Sequence, residues 1–180
     1  MPITLTRLDP TGADRSALID FLVSNTWPFH GGSRRTMNEV AMAVDNGAYR
    51  NEDNDTYWVD HSEAGTIGII RFEDLTSSPL FDLRLAESAR GHGYGVHALN
   101  EATRHVFSTM PTVHRFEGTT REDNIAMRKT FLAAGWVKEA HYREGWPVSE
   151  GFALDSVGYA VLRSDWEAGV TTPVRWDDLP

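Results

Sequence analysis

The spacing of apolar and polar positions changes several times along the chain, and each change marks a predicted element. "ITLTRL" near the start alternates apolar and polar residues, which is the period of a half-buried strand. Leu18, Phe21 and Leu22 then fall at helical spacing. Thr36, followed three residues later by Glu39, is a capping-box pattern, and Val40, Ala43 and Val44 continue one apolar face of a second helix. Between the two helices "NTWPFHGGSRR" sets Trp27, Phe29 and His30 around Pro28 ahead of two glycines, which predicts a shaped loop whose aromatics line a pocket. "TYWVD" and "TIGIIRF" flank a turn at Gly65 and read as an antiparallel hairpin.

"LFDLRL" is the next strand, with Phe81, Leu83 and Leu85 on one face and Leu80, Asp82 and Arg84 on the other, the solvent side. "RGHGYG", Arg90 to Gly95, follows directly. Val96, Leu99, Ala102 and Val106 then mark a core-facing helix that begins at this loop. "HRFEGTT" is a short strand, and Asn124 caps a helix carrying Met127, Thr130, Phe131 and Ala134 before Gly135 ends it. "WVKEAHYRE" and "SVGYAVL" are two closing strands, and "VTTPVRWDDLP" is a tail, either loose or held down by Trp176. Strand, two helices, three strands, helix, strand, helix and two strands make an α/β (α+β) fold in which a mixed sheet is flanked by helices. The expected organisation is one domain over residues 1–168 and a tail over 169–180.

Composition narrows the function classes. With 41% hydrophobic and 24% charged residues in 180, the chain is an ordinary globular domain. A net charge of −9 argues against a nucleic-acid binder, which needs a basic surface to release counterions, and suits a small cationic partner. The absence of cysteine excludes disulfides, thiolate metal sites and a cysteine nucleophile. No basic leader opens the chain and no apolar run approaches the roughly 18 residues of a membrane span, so a cytoplasmic protein with no membrane partner is expected. No histidine pair has zinc-motif spacing, and no metal is predicted.

Three glycines within five positions are destabilising unless the backbone is needed in an unusual geometry. A strand running into such a loop at the start of a helix aims free backbone N–H groups and the positive end of the helix dipole at one point, which suits phosphate. Taken alone, the glycines also fit a tight turn that binds nothing. In the phosphate reading Gly91, His92, Gly93, Tyr94 and Gly95 act through their amides, and Arg90 adds a charge-assisted contact. A mononucleotide or dinucleotide fold is disfavoured, because neither a Walker lysine nor a Gly-x-Gly-x-x-Gly spacing is present.

The element order with an Arg-x-x-Gly-x-Gly loop (Arg90, Gly93, Gly95) resembles the GNAT superfamily of acyl-CoA-dependent N-acetyltransferases. "NIAMRKTFLAAGW" is similar to that family's helix opening at an asparagine, here Asn124, with Phe131, Gly135 and Trp136 in the later places. The longer segment "TREDNIAMRKTFLAAGWVKEAHYREGW" resembles the branch that holds ribosomal-protein N-terminal and spermidine acetyltransferases. The resemblance implies a mostly antiparallel sheet of about seven strands with about four helices. It also implies acetyl-CoA as co-substrate, its pyrophosphate held by the loop amides, and a primary amine of a small molecule, peptide or protein N-terminus as acceptor. Main chain near Leu83, Arg84 and Leu85 would polarise the thioester, and Asn124 would touch the pantetheine arm. A homodimer stays open, as does a coenzyme A-binding module without turnover.

Acetyl transfer to an amine needs a base, and Asp82 and Glu117 are the candidates, directly or through water. Either could instead be structural, Asp82 paired with a neighbouring arginine and Glu117 as a hydrogen-bond acceptor. His30, His141 and Tyr142 are secondary candidates. Trp27, Phe29 and His30 are expected to bind the acceptor. Members of the family often carry a tyrosine at the place of Phe131, which has no proton to give. The expectation is therefore that water or direct release serves the leaving thiolate.

Overall fold

The computed structural model describes residues 2–30, 32–75 and 78–176. The chain forms two compact units, Met1–Ala102 and Thr103–Pro180, with the division falling inside a helix.

The first unit contains β1 (Ile3–Arg7), α1 (Arg15–Ser24), α2 (Met37–Asp45), β2 (Asp55–His61), β3 (Gly65–Glu73) and β4 (Leu80–Leu85), followed by a one-turn 3-10 helix at Glu87–Ala89 and the start of α3 (Tyr94–Thr109). Its four strands form an antiparallel sheet in the order β1-β2-β3-β4. Against it lies a core of Leu8, Leu18, Leu22, Trp27, Val40 and Tyr49 among others. The predicted capping box is present: Thr36 Oγ1 accepts from the Glu39 amide, and Glu39 Oε2 accepts from the Thr36 amide at 2.7 Å. Such a cap stabilises a helix start by about 1 kcal/mol. At Gly68 the strands approach so closely that a Cβ would lie 2.4 Å from Arg84 O, which only glycine permits.

The second unit contains the rest of α3, then β5 (Arg115–Arg121), α4 (Ile125–Ala133), β6 (Val137–Ser149), β7 (Phe152–Leu162) and α5 (Arg163–Ala168). Its antiparallel sheet runs β5-β7-β6. Phe116, Phe131, Trp136, Val157 and Tyr159 are buried in it. Asn124 caps α4 by accepting from the Met127 amide, as its position predicts, and Gly135 ends the helix region at φ +78°.

Among the described residues seven strands stand as expected, but they divide into sheets of four and three with every pair antiparallel, and α5 is an additional helix. The last two strands form a much longer hairpin than the sequence suggested. The tail is held through Thr172, whose amide and hydroxyl both donate to Asp165, and through Thr171 Oγ1 on Gly135 O. Trp176 is 59% exposed and does not anchor it, and residues 177–180 of the expected tail lie outside the described residues. Among the described residues no helix is long and apolar enough to cross a membrane.

Candidate active site

The glycine loop joins β4 to α3. Gly91 and Gly93 have φ of +79° and +80°, a left-handed region that side chains with a Cβ rarely adopt, and nothing lies within 4 Å of where a Cβ would sit. Conformation rather than crowding therefore demands glycine at these two positions. α3 starts at Tyr94, and its first amides have no carbonyl of their own helix to meet. His92 fixes the loop locally, its Nδ1 donating to Arg90 O at 2.8 Å while its ring stacks on Tyr94. Tyr94 in turn packs on His61 at 4.7 Å.

Arg90 points back from the loop. Its Nε donates to Leu85 O at 2.9 Å, a terminal nitrogen donates to Thr26 O at 2.6 Å, and the guanidinium lies over the Trp27 ring at 5.2 Å. These donors form an anchor that ties the loop to β4 and to the segment after α1. Glu87 provides a second tie, to the same segment after α1. The Glu87 carboxylate accepts from the amide and hydroxyl of Thr26, both at 2.6 Å, and the Glu87 amide donates to Asn25 Oδ1. These two Thr26 hydrogen bonds, side chain first and then backbone, hold the Glu87 carboxyl below its ordinary range. The only sequence signal was an isolated Asn-Thr pair and a glutamate 61 residues later.

Asp82 departs from the solvent-facing position expected of it. Its side chain is 15% exposed and sits among three cationic or hydrogen-bonding partners: Arg84 at 2.7 Å, His30 Nε2 at 3.0 Å and Arg71 at 3.6 Å. Burial alone would raise its carboxyl. The hydrogen bond from His30 and the charge of Arg84 outweigh burial and hold the carboxyl well below the usual carboxylate range. A carboxylate so stabilised is a poor proton acceptor. Arg71 also pairs with Glu73 and donates to Ala48 O, and Arg84 lies over Trp27 at 5.4 Å, so the cluster ties β3 and β4 to the loop after α1.

Trp27 also differs from the pocket-lining place expected of it. It is 1% exposed, its indole N–H donates to Leu22 O at 2.9 Å, and it packs against Phe21 at 5.5 Å. It is the platform beneath Arg84 and Arg90, not a pocket wall. Phe29 and His30 are half-buried on the same loop, and His30 Nδ1 is enclosed without a hydrogen-bond partner among the described residues. Main chain at Leu83, Arg84 and Leu85 lies on β4, an edge strand of its sheet.

In the second unit Glu117 pairs with Arg115 at 2.7 Å and keeps 36% of its side chain exposed. Arg115 also binds Glu139, so one guanidinium serves two carboxylates. Asn124 has both ends of its amide engaged, the oxygen by Met127 N and the nitrogen by Thr120 Oγ1 at 3.0 Å, which leaves one N–H and one lone pair for any ligand. Phe131 is 1% exposed and stacks on Tyr159 at 4.6 Å and 5°. Tyr142 is 58% exposed.

No curated protein matches the chain by sequence. Among solved structures it is similar to a chimera of spermidine N-acetyltransferase SpeG from Vibrio cholerae and hSSAT, with TM-score 0.76, 16% identity and coverage of 93% of this chain and 99% of the other. It is also similar to the Vibrio cholerae spermidine N-acetyltransferase in complex with CoA and spermine, with TM-score 0.73, 16% identity and coverage of 92% and 98%. RimL, a ribosomal-protein α-N-acetyltransferase in complex with coenzyme A, gives TM-score 0.73 at 17% identity, covering 90% and 94%. The acetyltransferase (GNAT) domain family matches residues 3–137. The chain belongs to that family and is an acyl-CoA-dependent N-acetyltransferase.

Proposed function

We propose that the enzyme takes its acetyl group from acetyl-CoA and delivers it to a primary amine of a small polycation. The observation that carries the donor assignment is the loop of left-handed glycines opening α3, tied to Leu85 and Thr26 by Arg90. The pyrophosphate would rest on the amides of Gly91 to Gly95, with the dipole of α3 behind it. Main-chain N–H near Leu83 to Leu85 would polarise the thioester carbonyl. The attacking amine forms the C–N bond as the C–S bond breaks. The leaving thiol has a solution pKa of about 8.5, so departure as thiolate followed by protonation from water is within reach at neutral pH.

Of the two candidate bases Glu117 is favoured over Asp82: it meets one arginine, which it shares with Glu139, and keeps 36% of its side chain exposed, whereas Asp82 is enclosed among Arg84, His30 and Arg71. Charge supports a cationic acceptor: residues 1–102 hold fifteen carboxylates against eight arginines and no lysine. Likeness to a spermine complex points the same way, while likeness to RimL favours a second reading, a protein N-terminus.

The test follows thiol release from acetyl-CoA with spermidine, spermine and an N-terminal peptide, alongside calorimetry with coenzyme A. Turnover with polyamines and a kcat loss of about 10²-fold or more in Glu117→Gln support the proposal. Turnover confined to the peptide favours the second reading. Coenzyme A binding with no turnover on any amine identifies a binding module.

A further inference from the structure

The chain contains two lysines, Lys129 and Lys138, against fifteen arginines. Lys138 Nζ lies 3.2 Å from His141 Nδ1, and His141 Nε2 lies 2.7 Å from Asp155 Oδ2. Residues three apart on a regular strand point to opposite faces. Here the β6–β7 register shifts between Lys138 and Ala140, so that Glu139 is an extra residue and Lys138 and His141 share a face with Asp155. Asp155 is itself held, its Oδ1 accepting from the amide of Glu144 at 2.8 Å. His141 remains 42% exposed, in an open depression of about 760 Å³ whose lining includes Tyr142 and Arg143.

We propose that Lys138 is a site of self-acetylation by acetyl-CoA, with the His141–Asp155 pair as its built-in base. With Lys138 donating to Nδ1, the neutral imidazole carries its proton on Nε2, directed at Asp155. The ammonium of Lys138 passes one proton to Nδ1, and Asp155 stabilises the imidazolium that results. The free amine attacks the thioester carbonyl. A C–N bond forms, the C–S bond breaks, the second amine proton goes to the leaving thiolate, and His141 returns its proton to water. The products are acetyl-lysine, coenzyme A and one released proton.

Glu122, His141 and Asp155 also bring three potential ligand atoms within 4.8 Å of one another. A metal-bound imidazole, however, directs its second nitrogen at a carbonyl or carboxylate, whereas Nδ1 here faces an ammonium. The arrangement suits proton transfer better than metal binding. The proposal needs only the acyl donor and is independent of which amine the enzyme turns over.

Lys129 is the internal control, exposed on α4 and, among the described residues, meeting no histidine. The full chain is incubated with isotopically labelled acetyl-CoA and a chelator, and label on each lysine is followed by peptide mass spectrometry at several protein concentrations. Lys138 is expected to acquire label at least about tenfold faster than Lys129, at a rate per molecule independent of protein concentration. His141→Gln, whose fold is checked by its melting curve, is expected to bring Lys138 to the Lys129 rate without changing Lys129. Asp155→Asn should lower it in the same sense and serves if the first variant does not fold. Equal labelling of the two lysines in the parent chain, a Lys138 rate indifferent to both substitutions, or a rate that scales with protein concentration would overturn the proposal.

Discussion

Replacing Trp27 with alanine separates a buried platform from a pocket wall. Truncating a fully enclosed tryptophan costs about 3–5 kcal/mol through lost burial and cavity formation, and Trp27 is 1% exposed. Leu22 O loses the indole donor that meets it at 2.9 Å, which adds about 1 kcal/mol. Arg84 and Arg90 lose the ring beneath them, at roughly 0.5–1 kcal/mol each. A total of about 5–8 kcal/mol is comparable to the whole stability of a typical domain, roughly 5–15 kcal/mol. Trp27→Phe retains most of the ring and gives up the N–H, and should cost about 1–2 kcal/mol. Urea unfolding of both variants, read as a change in midpoint at constant slope, measures these values. Because Arg90 rests on Trp27 and anchors the glycine loop, coenzyme A affinity measured by calorimetry should fall in Trp27→Phe more than the acceptor KM rises. A loss below about 1 kcal/mol in Trp27→Ala, with the acceptor KM alone affected, would refute the platform and restore the pocket wall.

Three further outcomes are expected. The depressed Asp82 carboxyl contributes stability above the ordinary carboxylate pKa of about 3.9 and loses it as pH falls through and below that value; Asp82→Asn should be less stable at pH 7 by about 3 kcal/mol or more, with a flatter acid limb in a melting series. Gly93→Val places a β-branched residue at φ +80°, so the coenzyme A-induced rise in Tm should vanish while the melting transition stays cooperative; retained affinity would remove the phosphate-loop assignment. Phe131→Tyr should change kcat less than about tenfold, equivalent to about 1.4 kcal/mol of barrier, whereas Phe131→Ala should lower stability by about 3–5 kcal/mol in urea.

Local features were legible because their causes are local. The Thr36–Glu39 box, the Asn124 cap and the hairpin turning at Gly65 each depend on residues within a few positions of one another. The surroundings of Asp82 were not, because Arg71 comes from β3 and His30 from the loop after α1, and strand alternation says only which face a residue takes, not what covers it. Trp27 beside a proline reads the same whether it plugs a core or lines a cavity. The unusual backbone of the glycine loop is legible in its glycine spacing, and Gly91 and Gly93 do take positive φ, but the direction of Arg90 depends on carbonyls of Thr26 and Leu85 that no motif records. The long β6–β7 hairpin is interrupted in the sequence by Gly145 and Pro147, breakers that an edge strand accommodates, and by Gly151, which lies in the turn between the two strands.

That edge bears on how the protein behaves at high concentration. β6, thirteen residues long, lies at one side of its sheet, where a flat run of unpaired amides and carbonyls would invite a strand from another molecule. Three register shifts, a left-handed Glu144 at φ +53°, and Pro147, which has no N–H to offer, break that run into short pieces, none of which presents an even ladder. The irregularity that brings Lys138 beside His141 therefore also denies a second chain a continuous template, so a crowded solution of folded molecules should resist fibrillar growth along β6.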